Sequence, residues 1–290
     1  MIDILSMLDS TEVSVLDHGY VRLVDVMPRL IDEGTTADTA IVDAARVSYK
    51  KGTIRKSSDK GLVSTLMRER HTSPFEQVIF KFEIKLPIFV ARQLLRHRTA
   101  SLNEESARYS EVSGDFYVPS EIRSNGLVNK QSSKASSLSS EEQEALIKAI
   151  SEHSNLSVDI YQSLLNAGVA REMARIVLPQ NMYTSMVWTI DLHNLLHLLK
   201  LRTHSGAQSE IQDYANAMLD LISPLVPYSI EPWRQYISEG INLSHSELYL
   251  LISSFSNPLS FTKELDLTVT SKQRKEYLRS LFQEIQKWTE

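Results

Sequence analysis

Between Val78 and Lys85 apolar and polar residues alternate. Val78, Phe80, Phe82 and Ile84 form one set, and Ile79, Lys81, Glu83 and Lys85 the other. A period of two predicts a strand with one buried face. Pro87 follows, and suits the first turn of a helix because the donor it lacks would be orphaned there. That helix is expected over Ile88 to Arg98. Upstream, Asp38 to Tyr49 predicts a short helix with Asp38 as N-cap. Gly61 to Arg70 predicts another, with Leu62, Leu66 and Met67 on one face, ended by the segment around Pro74. Downstream, a loop is expected from Thr99 to Arg108 and a returning strand from Tyr109 to Tyr117. Ser124 to Ser140 is rich in serine, lysine and asparagine and reads as a mobile surface loop. Ser140-Glu141-Glu142-Gln143 is a capping box that opens a helix to about His153. Helical patterns then cover about 154–167, 169–177, 188–203 and 207–222, with three more in 225–290. Long helices around one small strand set predict a single α+β domain.

Composition narrows the function classes. The chain has 290 residues, 42% of them hydrophobic and 23% charged, with net charge −5 and a pI near 5.9. A general electrostatic nucleic-acid binder would be more basic, so no nucleic-acid partner is expected and any anion site is local. No apolar run approaches the roughly 18 residues that cross a bilayer. The start, Met1-Ile2-Asp3-Ile4, shows no basic region followed by an apolar one. No membrane span and a cytoplasmic location are therefore expected. There is no cysteine, which excludes disulfides, thiolate metal sites and a cysteine nucleophile. The eight histidines form no zinc spacing; His193 and His197 lie four apart on a predicted helix, most simply as polar-tipped neighbours on one face. No metal is expected.

The chemistry concentrates between Arg96 and Tyr109. These fourteen residues carry three arginines, a histidine, two glutamates, an asparagine, two serines and a tyrosine, directly after a mostly apolar stretch. Arg175 and Arg202 sit in apolar helical contexts further along. A buried unpaired charge is costly, so a lone arginine of this kind is expected to find a carboxylate such as Glu172 or Glu210, or to reach water. Five arginines over three segments, Arg96, Arg98, Arg108, Arg175 and Arg202, also suit convergence on a phosphate or other anion, whose oxygens the guanidinium fork fits. Ser101, Asn103, Glu104 and Ser106 can hold an irregular loop through bonds to its backbone, and Glu104 and Glu105 can neutralise neighbouring arginines. No G-x-G-x-x-G or Walker sequence is present, so a nucleotide would not be held by a Rossmann or P-loop element.

Arg96-His97-Arg98 followed after seven residues by Ser106 resembles the signature of flavin-dependent thymidylate synthases, the ThyX family. The likeness extends through Asn103-Glu104-x-Ser106-x-Arg108-Tyr109 and His71-x-Ser73-Pro74-Phe75-Glu76. It continues in Ala170-Arg171-Glu172-x-Ala174-Arg175-x-Val177-Leu178-Pro179, and in Leu201-Arg202 with Ala207-Gln208-x-Glu210-Ile211. The blocks span about 40–215 in the family's order. The resemblance implies a small, mostly antiparallel sheet flanked by long helices, in a homotetramer with shared active sites. It implies a catalytic domain over 1–240 and a helical extension over 241–290 packed on it. It implies reductive methylation of dUMP to dTMP, with 5,10-methylenetetrahydrofolate as carbon donor and FAD reduced by NADPH as hydride source. The alternative is a catalytically silent homologue that binds flavin and nucleotide; an RNA-binding module using the arginine loop fits the acidic pI poorly.

By the same resemblance, Gln93, Arg96, Glu104, Glu105, Ser106, Ala107, Arg108, Arg175 and Arg202 correspond to positions that contact dUMP. Ser73, Arg96, His97, Arg98, Asn103, Glu104, Asp191, His193 and His197 correspond to positions that contact FAD. Arg202 and Ser106 are the expected catalytic residues. Arg202 would favour ionisation of uracil nitrogen 3 and so make carbon 5 more nucleophilic, and Ser106 would orient the nucleotide. Three positions depart from the family pattern: Asp191 and His193, where members often carry asparagine and arginine, and Gly206, where a histidine is common.

Overall fold

The alternating segment forms the middle strand of a five-stranded antiparallel sheet in the computed structural model, which describes residues 1–47, 58–112, 114–125, 133–256, 265 and 272–289. Among the described residues the strands are β1 (Ile2–Asp3), β2 (Glu12–Val15), β3 (Gly19–Met27), β4 (Leu30–Ile31), β5 (Ile79–Pro87), β6 (Ser101–Glu104), β7 (Arg123–Asn125), β8 (Ser133–Ala135) and β9 (Tyr183–Asp191). The large sheet has the order β2-β3-β5-β9-β6, while β1 pairs with β4 and β7 with β8. Every strand pair in the large sheet is antiparallel, so the α+β expectation with a small antiparallel sheet holds.

The buried face of β5 is the alternating set: Val78 just before it, then Phe80, Phe82, Ile84 and Leu86. Phe82 lies opposite Trp188 of β9, with ring centroids 6.4 Å apart. Aromatic pairs of this kind add about 0.5–1.5 kcal/mol beyond the area they bury. Met186, Trp188 and Ile190 continue the same layer. Above it lie α6 (Leu192–Arg202) and α7 (Ser209–Ile222), whose Leu195, Leu198, Leu199, Ile211, Tyr214 and Met218 are buried. Tyr214 donates to the Lys85 carbonyl at 2.8 Å. A Cβ on Gly19 would stand 1.9 Å from that tyrosine's oxygen and 2.7 Å from the Lys85 carbonyl, so only glycine fits there.

Several boundaries differ from the sequence expectation. The first helix, α1, spans Asp38–Arg46, and Asp38 is its first residue, not its N-cap; Ala37 precedes it without a side-chain cap. Residues 48 and 49 of that expectation lie outside the described residues. α2 runs Asp59–Arg68 with Ser58 as N-cap. α3 is Ile88–Leu94, four residues shorter than expected, with Pro87 as its N-cap. The expected loop 99–108 contains β6, and the expected strand 109–117 contributes, among the described residues, only one bridge, Phe116 to Met182. The capping box is Ser139 with Glu142, one residue earlier than expected, and it opens one continuous helix, α4 (Ser140–Asn166), in place of two. The predicted helix 169–177 is α5 (Arg171–Ala174) plus a 3₁₀ turn, Arg175–Val177. The helix expected from 188 starts at Leu192, because 188–191 belong to β9. The expected mobile loop 124–140 holds β7, β8 and the start of α4, and its residues 126–132 lie outside the described residues.

Asp38 has a different role from capping. It is fully buried and accepts from the Ser229 hydroxyl, the Tyr228 amide at 2.8 Å and Thr36 at 3.2 Å. These bonds tie the start of α1 to the start of α8 (Pro227–Trp233). Burial outweighs the three donors and pushes the carboxyl up to about 6. The folded state therefore holds a proton that the unfolded chain releases. The stability this adds is full below the unfolded value near 3.8 and is lost as pH rises through about 6. The two values differ by enough to represent about 3 kcal/mol. Asp38→Asn is expected to flatten this part of the stability profile between pH 4 and 7, as read from urea midpoints against the parent.

The chain divides into two compact units. One comprises Met1–Arg123 and Ala135–Glu239; the other comprises Ser124–Lys134 and Gly240–Glu290. The second holds α9 (His245–Ser256) and α10 (Lys272–Thr289), with its own small core of Leu250, Leu265, Leu278, Leu281 and Phe282. Among the described residues no helix is long and apolar enough to cross a membrane.

Candidate active site

The site grows out of the end of β5. Amides of Ile88 and Phe89 donate to the carbonyls of Met182 and Gln180 at 2.9 and 3.0 Å, fixing how α3 leaves the sheet. Past Leu94 the chain makes one looser turn, with the Arg96 amide on the Gln93 carbonyl at 3.4 Å and the His97 amide on that of Leu94 at 3.0 Å. Gln93, Arg96 and His97 are thus gathered on one turn. Arg96 and Arg98 are exposed and form no ion pair among the described residues.

The chain then enters β6, an edge strand whose four residues, Asn103 and Glu104 among them, are all exposed. Glu104 accepts from the Thr184 hydroxyl at 2.8 Å, and Glu105 accepts from the Ser185 amide at 3.0 Å. The two glutamates therefore hold β6 and its continuation against β9 and do not neutralise the arginines. Burial raises Glu105 above the ordinary carboxylate range, opposed by the Ser185 amide. Ser106 to Tyr109 form a tight turn, with the Tyr109 amide on the Ser106 carbonyl at 3.0 Å. Ser106 Oγ accepts from the Arg108 amide at 3.3 Å, and no base bonds it among the described residues. Ala107 sits at the crest of this turn, half-buried.

Arg108 pairs with Glu172 at 3.3 Å, which joins the turn to α5. Arg175, just after α5, is exposed and unpaired among the described residues. The carboxylates expected to satisfy the apolar-flanked arginines thus serve others: Glu172 takes Arg108, and Glu210 takes Arg123. Arg202, the last residue of α6, bonds only neutral acceptors among the described residues. Its Nε donates to His97 Nε2 at 3.1 Å and its Nη2 to the Gln93 carbonyl at 3.3 Å. Burial, then Arg96 nearby, lowers its pKa, which still leaves a guanidinium charged. Burial, Arg202 and His197 together push His97 down to about 4.

On the other side of α6 is a cavity of about 270 Å³. Its floor is apolar, with Leu66, Met67, Phe75, Leu196 and Trp233, and its rim is basic, with Arg70, His71, His193, His197 and Lys200. His193 and His197 form one wall, the ring of His197 lying 6.0 Å from that of His97. Ser73 opens the 3₁₀ turn that carries Phe75 and is exposed. Asp191 is the N-cap of α6, its carboxylate accepting from the amide and side chain of Asn194 at 3.0 and 2.6 Å; a capping role accounts for a carboxylate there. Gly206 accommodates a turn in which its amide donates to His204 Nδ1 at 2.9 Å. Arg70, Lys200, Trp233 and Ile237 line the cavity but are absent from the sequence-based list. Arg70 carries φ of 61°. Its amide and that of His71 close α2 on the carbonyls of Met67 and Leu66, the position where helices favour glycine.

A family model described as thymidylate synthase complementing protein matches residues 29–228. The flavin-dependent thymidylate synthase of Dictyostelium discoideum is 44% identical over 266 residues, 91% of this chain and 86% of its own length. That of Thermus thermophilus is 45% identical over 271 residues, 93% of this chain and 96% of its own. The chain belongs to the flavin-dependent thymidylate synthase family. A solved structure agrees: a UMP/dUMP methylase, PolB, from Streptomyces cacaoi bound with 5-Br UMP superposes with a TM-score of 0.66 at 35% identity, covering 77% of this chain and 97% of that one. Every site residue discussed from Ser73 to Arg202 lies inside the region that the family model of these thymidylate synthases matches, as does Arg70.

Proposed function

We propose that this chain is a thymidylate synthase that methylates dUMP, with methylenetetrahydrofolate as carbon donor and FAD, reduced by NADPH, as hydride source. The observation that carries the reading is Arg202, a charged guanidinium held by neutral acceptors beside Arg96, in a chain of this family. The residues fit a flavin. The cavity beside α6 offers an apolar floor for a ring system and basic side chains for phosphate. About 270 Å³ is at the small end for ligand sites, so a whole dinucleotide would extend beyond it, toward Arg96, His97, Arg98, Asn103 and Glu104. When bound, FAD supplies the two-electron chemistry that no side chain here provides.

The chain's own residues bind and polarise. Arg96, Arg108 and Arg175 present guanidinium forks to the nucleotide phosphate. Gln93, Glu104, Glu105, Ser106 and Ala107 position the ribose and base around the turn after β6. Ser106, without an adjacent base, acts as a hydrogen-bond donor and not as a nucleophile. Arg202 stabilises negative charge on the pyrimidine as nitrogen 3 ionises, which raises electron density at carbon 5. Ser73, Asp191, His193 and His197 shape the flavin side.

The same reading assigns residues 1–240 to catalysis and 241–290 to a helical extension. It also assigns a homotetramer with shared sites, supported by apolar side chains left exposed on β6, β9, α4, α5 and the turn after α5: Leu102, Val187, Leu156, Ile160, Met173 and Ile176. The location is cytoplasmic, where folate and nucleotide pools meet. A catalytically silent homologue is not favoured, since both relatives described above carry the synthase name along nine tenths of this chain. The deciding experiment is tritium release from dUMP labelled at carbon 5. Release that requires FAD, NADPH and methylenetetrahydrofolate, with dTMP formed, establishes the reaction. A folded, yellow, tetrameric protein that releases none would be a binding homologue only.

A further inference from the structure

We propose that His97 is the positioning residue of Arg202, holding the guanidinium at one angle together with the Gln93 carbonyl so that the cation is aimed before substrate arrives. The inference rests on the reading of Arg202 as the cation beside the pyrimidine. Two acceptors four residues apart on the turn ending α3 receive two different nitrogens of Arg202: His97 Nε2 takes Nε at 3.1 Å and the Gln93 carbonyl takes Nη2 at 3.3 Å. Two bonds to one turn fix both the direction and the roll of the planar group. Gln93 is itself anchored, its amide donating to Gln208 Oε1 at 2.6 Å. The third nitrogen, Nη1, bonds nothing among the described residues.

The choice of acceptor matters. A carboxylate at position 97 would hold Arg202 more tightly but would cancel the charge that the chemistry uses. A neutral imidazole holds without cancelling. The groups facing His97 are Arg202 and His197, with Arg96 acting on Arg202; burial first, then these neighbours, keep the ring unprotonated. Because Nε2 accepts, the ring proton belongs on Nδ1. His97 thus acts through Arg202 in addition to any contact with flavin.

The test is a double-mutant cycle in the full-length protein loaded with FAD. Tritium release gives kcat and KM for dUMP, and absorbance gives flavin content. His97→Phe keeps a ring but removes the acceptor. It is expected to lower kcat by roughly 10- to 100-fold, as small misplacements do, with flavin retained and KM changed less. His97→Gln, which offers an amide oxygen, is expected to restore most of the loss. In an Arg202→Lys background, which has no Nε–H, His97→Phe is expected to cost no more than about twofold. Equal losses in both backgrounds, or loss of flavin in step with loss of turnover, would overturn the proposal. If the parent releases no tritium, the synthase reading itself fails, and the contact is judged by NMR. The Arg202 Nε–H signal, assigned by its disappearance in Arg202→Lys, should be protected from exchange in the parent and not in His97→Phe. An unprotected parent signal refutes the positioning role whatever the activity.

Discussion

Replacing Arg202 by alanine is expected to lower turnover by about 10²- to 10³-fold, the usual cost of removing one preorganised electrostatic group, while fold and flavin content survive. Arg202 ends α6, so truncation removes no core side chain; the neighbours that pack the interior are Leu198 and Leu199. What disappears is a half-buried charge that no carboxylate pairs with among the described residues. Lysine in its place keeps the charge but loses the fork, and should recover only a small part of the rate. Tritium release read beside flavin absorbance decides the matter. If Arg202→Ala sheds FAD and melts early, its role is structural.

Glu210→Ala should produce a large stability loss without touching the nucleotide. Glu210 is only 3% exposed at the start of α7. It pairs with Arg123 and accepts from Tyr117 at 3.1 Å. Burial and this carboxylate raise the Tyr117 phenol, which stays protonated and donating. Truncation leaves the Arg123 guanidinium, itself mostly buried, without its counter-charge. Breaking one side of such a pair costs about 3–5 kcal/mol, whereas replacing both partners by apolar residues is often close to neutral. Glu210→Leu combined with Arg123→Met should therefore recover most of what Glu210→Ala loses, and Tyr117→Phe alone should cost about 1 kcal/mol. Urea midpoints at one fixed protein concentration measure all of these. A loss below about 1 kcal/mol for Glu210→Ala would mean the network contributes nothing net.

Glu210 also shows what can and cannot be read from the residues. The arginines in apolar settings are visible at once, but their partners are not. Along the chain Glu172 and Glu210 are equally available to Arg175 and Arg202, and folding gives them to Arg108 and Arg123. Pairing between residues so far apart in the chain is a tertiary outcome with no local pattern. β5 is legible because its alternation is uninterrupted. β9 has the same alternation in Thr184, Met186, Trp188 and Ile190, but it runs without a break into the leucine-rich α6, and the helical period absorbs its end. β6 has no buried face at all, so hydrophobic pattern is silent there and only pairing with β9 makes it a strand. The capping box shifts by one because Ser139-x-x-Glu142 and Ser140-x-x-Gln143 both satisfy the motif. The candidate catalytic turn is evident from its density of functional groups. The candidate flavin-side cavity is only half evident: Arg70, Trp233 and Ile237 reach it because α2 and α8 pack together, and nothing near them in the chain announces it.

The left-handed backbone at Arg70 bears on how such an enzyme evolves. A side chain there costs about 1 kcal/mol relative to a residue without a Cβ, so the chain carries a standing penalty at a residue that lines the cavity. Selection for heat tolerance alone would favour glycine at position 70, whereas retention of arginine under selection for thymidylate synthesis would mark the side chain as functional. The two pressures part at this one residue.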